Sequence, residues 1–315
     1  LALWTVLPAA AQAPVQDGAQ RPARIVIGYP PGRSIDTVGR FFGTALGKQL
    51  DCTYVVENVA GQSGSIALGN VARSPGDGGL LTFSASSALV INPQLFKTVR
   101  YDTLKNFEPI ALLYDTPLLL VVNAKLPIDS VESLLSYANS HPGQVSFSSP
   151  GVGSVSHLAM TEFTRRTGLK LVHVPYQGAA PSLTALAAGQ VQLSFEGVAA
   201  ATPFLQGGRI KALAISSAQR LPRHEAIPTV AESGLPGFDV VPWVGVLAPS
   251  GQAADRIEQT WRAVQAVTET DEYTRLIDQV GGRKAVRPPA EFRKFLEAEV
   301  PRWQAFIKMS GVTAE

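Results

Sequence analysis

Three stretches of the chain each join a strand-like run, a glycine turn and a helix-like run, and turns of that kind can hold an anion without a fixed cation. The most developed is Val145 to Leu158, Val-Ser-Phe-Ser-Ser-Pro-Gly-Val-Gly-Ser-Val-Ser-His-Leu. Alternating Val145 and Phe147 predict a strand, Pro150-Gly151-Val152-Gly153 breaks it, and Ser154 stands where an N-cap would open an amphipathic helix to Thr167. In Arg24-Ile-Val-Ile-Gly-Tyr-Pro-Pro-Gly-Arg-Ser-Ile-Asp36 a Pro-Pro-Gly turn leads into a helix with Phe41, Phe42, Ala45 and Leu46 on one face. The third, His173-Val-Pro-Tyr-Gln-Gly-Ala-Ala-Pro-Ser182, precedes Leu183, Leu186 and Ala187. Free backbone N–H groups and the positive end of the helix dipole converge at such turns, which suits a carboxylate or a phosphate. Helix N-termini facing one crevice are expected at the carboxyl ends of strands in an open α/β sheet.

Rival chemistries find less support. Gly151-Val-Gly153 is followed by Ser rather than completing the dinucleotide fingerprint, and no Walker A motif occurs. No G-x-S-x-G elbow is present: Gly61-Gln-Ser-Gly64 lacks the spacing, and Ser154 opens a helix. His157 lies one helical turn after Ser154, where it bonds its own loop more readily than it serves as a general base. The four histidines show no H-x-x-H or H-E-x-x-H spacing, and Cys52, alone, forms no intrachain disulfide or thiolate metal site and reads as a small core residue. The expectation is a protein with no catalytic residues, no metal and no cofactor. The alternative is a secreted hydrolase, or a ligand sensor's partner, using the same cleft.

The elements that position these turns alternate along the chain. Strands are expected near 24–29, 53–57, 80–84, 109–114, 117–123, 145–148, 171–174, 191–195, 211–216 and 240–247. Helices are expected near 35–49, 63–73, 89–95, 130–140, 154–167, 180–188, 199–206 and 227–232. This predicts α/β architecture, with mostly parallel sheets flanked by helices. From Ala253 onward helical spacing takes over, and the tail aromatics read as packing residues. With 45% hydrophobic and 17% charged residues the cores are well buried, and a net charge of +2 without a basic cluster implies neither nucleic acid nor an anionic membrane as partner. Residues 1–13 read as the remnant of a secretory signal, with cleavage after Ala11. No other run approaches the roughly 18 to 20 apolar residues that span a bilayer, so export to the periplasm or the medium without membrane insertion is expected. The Pro-punctuated passages at Ala111–Ala124 and Leu235–Trp243 are candidate crossings between two lobes: 22–118 plus 236–315, and the insert 119–235. A cleft between such lobes is a standard ligand site.

At these residues the chain resembles the extracytoplasmic solute receptors of tripartite tricarboxylate transporters, the Bug family of Bordetella and its relatives. The resemblance covers nearly the whole chain. It is carried by an ordered series: Tyr29-Pro-Pro-Gly with Asp36, Val55-Val-Glu-Asn58, Ser74-Pro-Gly-Asp-Gly78, Ile91-Asn-Pro93, Tyr101-Asp102 and Leu120-Val-Val-Asn123. The series continues through Gly151-Val-Gly-Ser-Val-Ser-His157, His173-Val-Pro-Tyr-Gln-Gly178, Ala188-Gly-Gln-Val191, Ile227–Phe238 and Leu247-Ala-Pro249. It implies a two-lobed, type II periplasmic-binding-protein fold that closes over a small carboxylate, an amino acid such as glutamate or aspartate or a di- or tricarboxylate, and delivers it to membrane permease subunits. A periplasmic monomer is expected.

The resemblance implies ligand contacts chiefly from two loops: Tyr29, Pro30, Pro31, Gly32, Arg33 and Ser34 in one, and Ser149, Gly151, Gly153, Ser154 and His157 in the other. Ser84, Ser86, Tyr176, Gly178, Ala179 and Glu196 complete the expected set. Asp36, in the first turn of its helix, is assigned to capping and loop support. Glu196 either faces the cleft, which would favour an amino acid, or is a solvated loop carboxylate. Arg33, standing where the family usually has glycine, either pairs with a carboxylate inside the crevice or steers anions from its rim. Val59-Ala60, Gln177, Ala179 and Glu196-Gly197 are further departures from the family pattern.

Overall fold

The computed structural model describes residues 22–313, so the signal remnant expected over 1–13 lies outside the described residues. The chain begins with β1 (Ala23–Ile27), α1 (Ser34–Leu50), β2 (Tyr54–Asn58), α2 (Ser65–Val71) and β3 (Leu80–Ala85), then a π-helical turn (Ser87–Ile91) and α3 (Asn92–Leu95). β4 (Phe107–Asp115) passes directly into β5 (Leu118–Asn123). There follow α4 (Val131–Ser140), β6 (Ser146–Ser149), α5 (Val155–Thr167), β7 (Val172–Pro175), α6 (Ala179–Ala188), β8 (Leu193–Gly197), α7 (Val198–Gln206) and β9 (Ile210–Ile215). The return leads to β10 (Trp243–Pro249), α8 (Ala254–Thr268), α9 (Asp271–Gln279), β11 (Arg283–Arg287) and α10 (Pro289–Ser310).

These strands form two sheets, ordered β11-β4-β10-β3-β1-β2 and β7-β6-β8-β5-β9. Both are mixed, not mostly parallel. β1 pairs in parallel with β2 and β3, and β6 with β7 and β8, whereas β10 runs antiparallel to β3 and β4, and β5 to β8 and β9. The crossings force this. β4 leaves the first sheet toward the second at Asp115 and β10 enters from it at Trp243, so the two strands pair head to tail with Trp243 opposite Asp115. β5 likewise starts at the junction, with Leu118 opposite Gly197 at the end of β8. The registers therefore bring the carboxyl ends of β1 and β3 in one sheet, and of β6, β7 and β8 in the other, to the side where the sheets meet.

Two elements differ from the sequence expectation. Residues 227–232 form turns, because Thr229 and Glu232 bond reciprocally as a capping box and Gly234 (φ +103°) with Pro236 stops the chain before a second turn forms. β11 interrupts the helical tail; its Arg-Lys-Ala-Val-Arg is a charged edge strand with an irregular register on β4, lacking the apolar alternation by which strands are read.

The core lies in three layers. One packs α1, α8 and α9 against the first sheet, another packs α6 and α7 against the second, and the third runs continuously beneath both sheets under α5 and α10. Within that shared layer Trp243, the first residue after the return crossing, packs edge-on against Phe292 and Phe295 of α10. Its indole N–H donates to the buried Glu299 (3.3 Å), which also accepts from Trp303 Nε1 (2.9 Å) and Arg302 (2.6 Å). Removing that carboxylate strands two buried indole donors, so Glu299→Ala should lower unfolding free energy by about 3 kcal/mol, measured by urea denaturation, with Glu299→Gln losing less.

Candidate functional site

The turn after β1 is held from below by one carboxylate. Asp36, 3% exposed, accepts from the Gly32 amide (2.8 Å) and from Asn58 Nδ2 (2.8 Å), and Arg40 Nε lies 3.0 Å from its nearer oxygen. Burial works to raise its carboxyl, and the Arg40, Gly32 and Asn58 contacts together outweigh burial and hold it below the usual range. Asn58 also donates to the Tyr29 carbonyl, tying β2 to the same turn. Gly28 admits a second close approach: a Cβ there would sit 2.4 Å from the Gly64 Cα, backbone that cannot move aside. Tyr29 thus lies against Gly64, with its hydroxyl on Ser63 O (2.8 Å) and Ser87 Oγ (2.9 Å). Pro30, Pro31, Gly32, Arg33 and Ser34 are exposed, and among the described residues no carboxylate pairs with Arg33. Ser84 and Ser86 are enclosed: Ser84 faces Gly245 within the sheet, and the Ser86 hydroxyl accepts from the Trp243 amide (3.4 Å).

In the second sheet the turns after β6 and β7 are one unit. Tyr176 N donates to Ser149 O (3.0 Å) and Gly178 N to Pro150 O (3.1 Å), so Ser149, Gly151, Tyr176, Gly178 and Ala179 are neighbours. Gly151, Gly153 and Gly178 all have positive φ (142°, 75° and 114°), which explains glycine at these positions. Gly153 also meets α3 closely, since a Cβ there would lie 2.7 Å from Leu95. Ser154 caps α5, accepting from His157 N (3.2 Å) and donating to Gly151 O (2.7 Å). By contrast α1, α6 and α7 begin at Arg33, Gly178 and Gly197 with no side-chain cap, leaving their first N–H groups to water or a ligand.

His157 bonds its own loop, as the sequence suggested: its Nδ1 accepts from Gly153 N (3.2 Å). Its ring stacks on His173 (centroids 4.0 Å apart), and His173 stacks on Phe147 (4.7 Å). Burial, with the neighbouring His173, pushes His157 down to about 4, so both its ring and the loop it braces stay uncharged near neutrality. The Ser149 hydroxyl lies 2.7 Å from His173 Nε2, yet Ser149 is fully buried, is engaged by Gly151, and no carboxylate among the described residues orients the imidazole. That pair lacks what an activated nucleophile requires.

Glu196 corrects both expectations placed on it. It is neither a solvated loop carboxylate nor an open face of the cleft: it is the penultimate residue of β8, 1% exposed, with Oε1 held by Ser182 Oγ of α6 (2.6 Å) and Ser194 Oγ (3.0 Å). Burial pushes its carboxyl up to about 7 against the opposing pull of the two serines. The alternation of Leu193 and Phe195 with Ser194 and Glu196 was a readable signal that those two polar residues share a face, and Ser182 stands one turn into α6.

A family profile described as the tripartite tricarboxylate transporter family receptor matches residues 38–312. The chain belongs to this family. The receptor is 32% identical to protein BugT of Bordetella pertussis over 292 residues, covering 92% of this chain and 90% of that protein. Among solved structures it is similar to an R. palustris protein determined with adipate (TM-score 0.82, 31% identity, 94% of this chain and 99% of that one). It is also similar to the periplasmic binding protein BugD (0.78, 28%, 94% and 99%) and to MatC from Rhodopseudomonas palustris with bound malate (0.75, 28%, 91% and 98%). The mixed two-sheet architecture is thus that of a periplasmic binding protein. Among its described residues no helix is long and apolar enough to cross a membrane.

Residues the sequence reading missed are the supports: Asn58, Ser63 and Ser87 around Tyr29, and Ser148, His173, Ser182 and Ser194 behind the second-sheet turns. Because Asp36 answers three donors at once, Asp36→Ala should cost about 3 kcal/mol in urea unfolding at neutral pH and should loosen Gly32, read as faster amide exchange there; unchanged exchange would contradict its loop-support role.

Proposed function

We propose that this receptor works in the periplasm as a monomer, capturing a small dicarboxylate between two lobes and presenting it to the membrane permease subunits of a tripartite transporter. The lobes are 22–118 plus 236–315, and 119–235. The observation that carries this reading is the arrangement of the glycine turns: they stand at carboxyl ends of strands on the side where the two sheets meet, and those after β1 and β7 lead into helix starts without side-chain caps. Backbone N–H groups and hydroxyls, with ordered water, would carry the carboxylates. The candidate contacts are the exposed residues Pro30 to Ser34 with Tyr29 on one side, and Gly151, Gly153, Ser154, Tyr176, Gly178 and Ala179 on the other. His157 and Ser149 brace that second side with Glu196 behind them, and Ser84 and Ser86 support the first side from within. A dicarboxylate is preferred to an amino acid because Glu196, the acidic group that would receive an ammonium, is enclosed by serines. The adipate and malate bound by its structural relatives are consistent with that class.

Mass spectrometry of the small molecule released on denaturing freshly purified protein should find a carboxylate. Adipate or malate at about 100 times its Kd should add about 2.7 kcal/mol of stability and be recovered unchanged. Conversion of the ligand, or stabilisation by no carboxylate at all, would overturn the reading. Arg33, exposed and without an ion-pair partner among the described residues, acts as a rim charge that steers anions. Arg33→Gly should therefore slow association a few-fold at low salt, an effect that vanishes in high salt; a tenfold faster dissociation would instead place the guanidinium on the ligand.

A further inference from the structure

Glu196 is a buried carboxyl that no cation among the described residues balances. Ser148 and Ser182 face it from β6 and α6, and β5, β6, α6 and α7, the elements around it, carry no charged side chain. On β9 the one charge is Lys211, whose Nζ donates to Leu126 O and whose register partner is Val122, three residues along β5 from the Leu119 opposite Glu196. On β7 the one titratable group is His173, engaged with Ser149 and stacked on His157 of α5. The remaining charges of α5, Glu162, Arg165 and Arg166, pair with one another, and Asp115 pairs with Arg283 beyond the start of β5.

The contacts around the carboxyl make its ionisation costly. Glu196 Oε1 is met by two hydroxyls, Ser182 Oγ at 2.6 Å and Ser194 Oγ at 3.0 Å, and each of these also reaches a second acceptor, Ser148 Oγ at 2.9 Å and Ser148 O at 2.8 Å, so neither hydroxyl's single proton is committed to the carboxylate. Burial away from any charge on the facing elements raises its proton affinity, up to about 7. The same serines connect it to the proposed anion site. Ser182 belongs to α6, whose uncapped start follows Gly178, and Ser148 immediately precedes the Ser149–Ser154 turn.

We propose that Glu196 is a proton-binding site coupled to anion capture, so that the receptor takes up a proton on Glu196 when an anion settles at the turns after β6 and β7. The anion half rests on the proposed function; the proton half does not. The sign follows from like-charge repulsion. An anion outside α6 makes the ionised Glu196 less favourable, and reciprocally the ionised Glu196 weakens the anion. Capture is therefore strongest when Glu196 is neutral and declines as pH rises through neutrality.

The test has two arms. Titration of the glutamate side-chain carboxyl carbons by NMR in ligand-free protein, with Glu196→Gln supplying the assignment, should give a Glu196 midpoint near neutrality; a midpoint in the ordinary carboxylate range overturns the proposal. If Glu196→Gln does not fold, Ser182→Ala serves instead: removing a hydroxyl that favours the ionised form should move the same resonance's midpoint upward, and no movement overturns the proposal. Calorimetry with adipate at about pH 6 and about pH 8, in two buffers of different ionisation enthalpy, should show net proton uptake and affinity lower by roughly fivefold at the higher pH. Glu196→Gln should flatten both dependences. A pH-independent affinity in the unmodified receptor, or the same dependence in the variant, overturns the coupling. If neither adipate nor malate binds at any pH, the proposed function has failed and the coupling falls with it, while the NMR titration still decides the proton site.

Discussion

The rest of the structure depends on how the chain passes twice between its sheets within a few ångströms. The outgoing crossing after Asp115 and the return before Trp243 are bonded to each other: Thr116 N donates to Pro242 O (2.8 Å), Leu118 exchanges bonds with Ser216 through both backbone and hydroxyl (2.9 Å each), and Val240 N donates to Ser216 O (3.0 Å). Two adjacent crossings fix which end of every strand faces the junction, and so which loops can meet there. They also dictate the antiparallel strands, since a chain that leaves along one strand and returns along its neighbour runs in opposite directions in the two.

Around those crossings arginines hold backbone in place of partner side chains. Arg166 of α5 donates to Pro236 O (3.1 Å) and Gly237 O (3.3 Å), and Arg302 of α10 donates to Asp239 O, so two helices grip the returning segment. Arg166 is itself anchored by Glu162, which Arg165 also engages (2.9 Å). Five-donor, planar guanidinium groups suit carbonyls displayed in an irregular, Pro-punctuated segment that cannot join a sheet.

The second sheet backs its junction-side turns with hydroxyls and imidazoles. His157 is held neutral by burial beside His173, and Glu196 is enclosed by hydroxyls, while α6 and α7 begin without a side-chain cap on their first amide N–H groups. Partial charges from backbone dipoles then decide what is attracted, and a small change in the protonation of one buried group carries more weight than it would amid salt bridges.

Much of this was legible in the chain itself. Short apolar runs and glycine turns marked ten of the eleven strands among the described residues and the starts of α1, α5 and α6, because those signals are local: a strand is a short apolar run between breakers, a helix must begin, and a positive φ calls for glycine. The spacing of His157 three residues after Ser154 was enough to read its bond to its own loop. What the sequence could not state was partnership. β11 has no apolar pattern because its partner β4 supplies the burial; Thr229 and Glu232 look like a helix start, and only the following chain path ends it after one turn. Asp36 reads as a first-turn acid, but that it gathers Gly32, Arg40 and Asn58 depends on β2 lying beside β1. The fate of Glu196 was decided in the same way. Its strand position was local information, whereas its burial follows from α6 and β6 closing over it with serines from residues 148 and 182, a contact between segments 34 residues apart that only folding brings within hydrogen-bond distance.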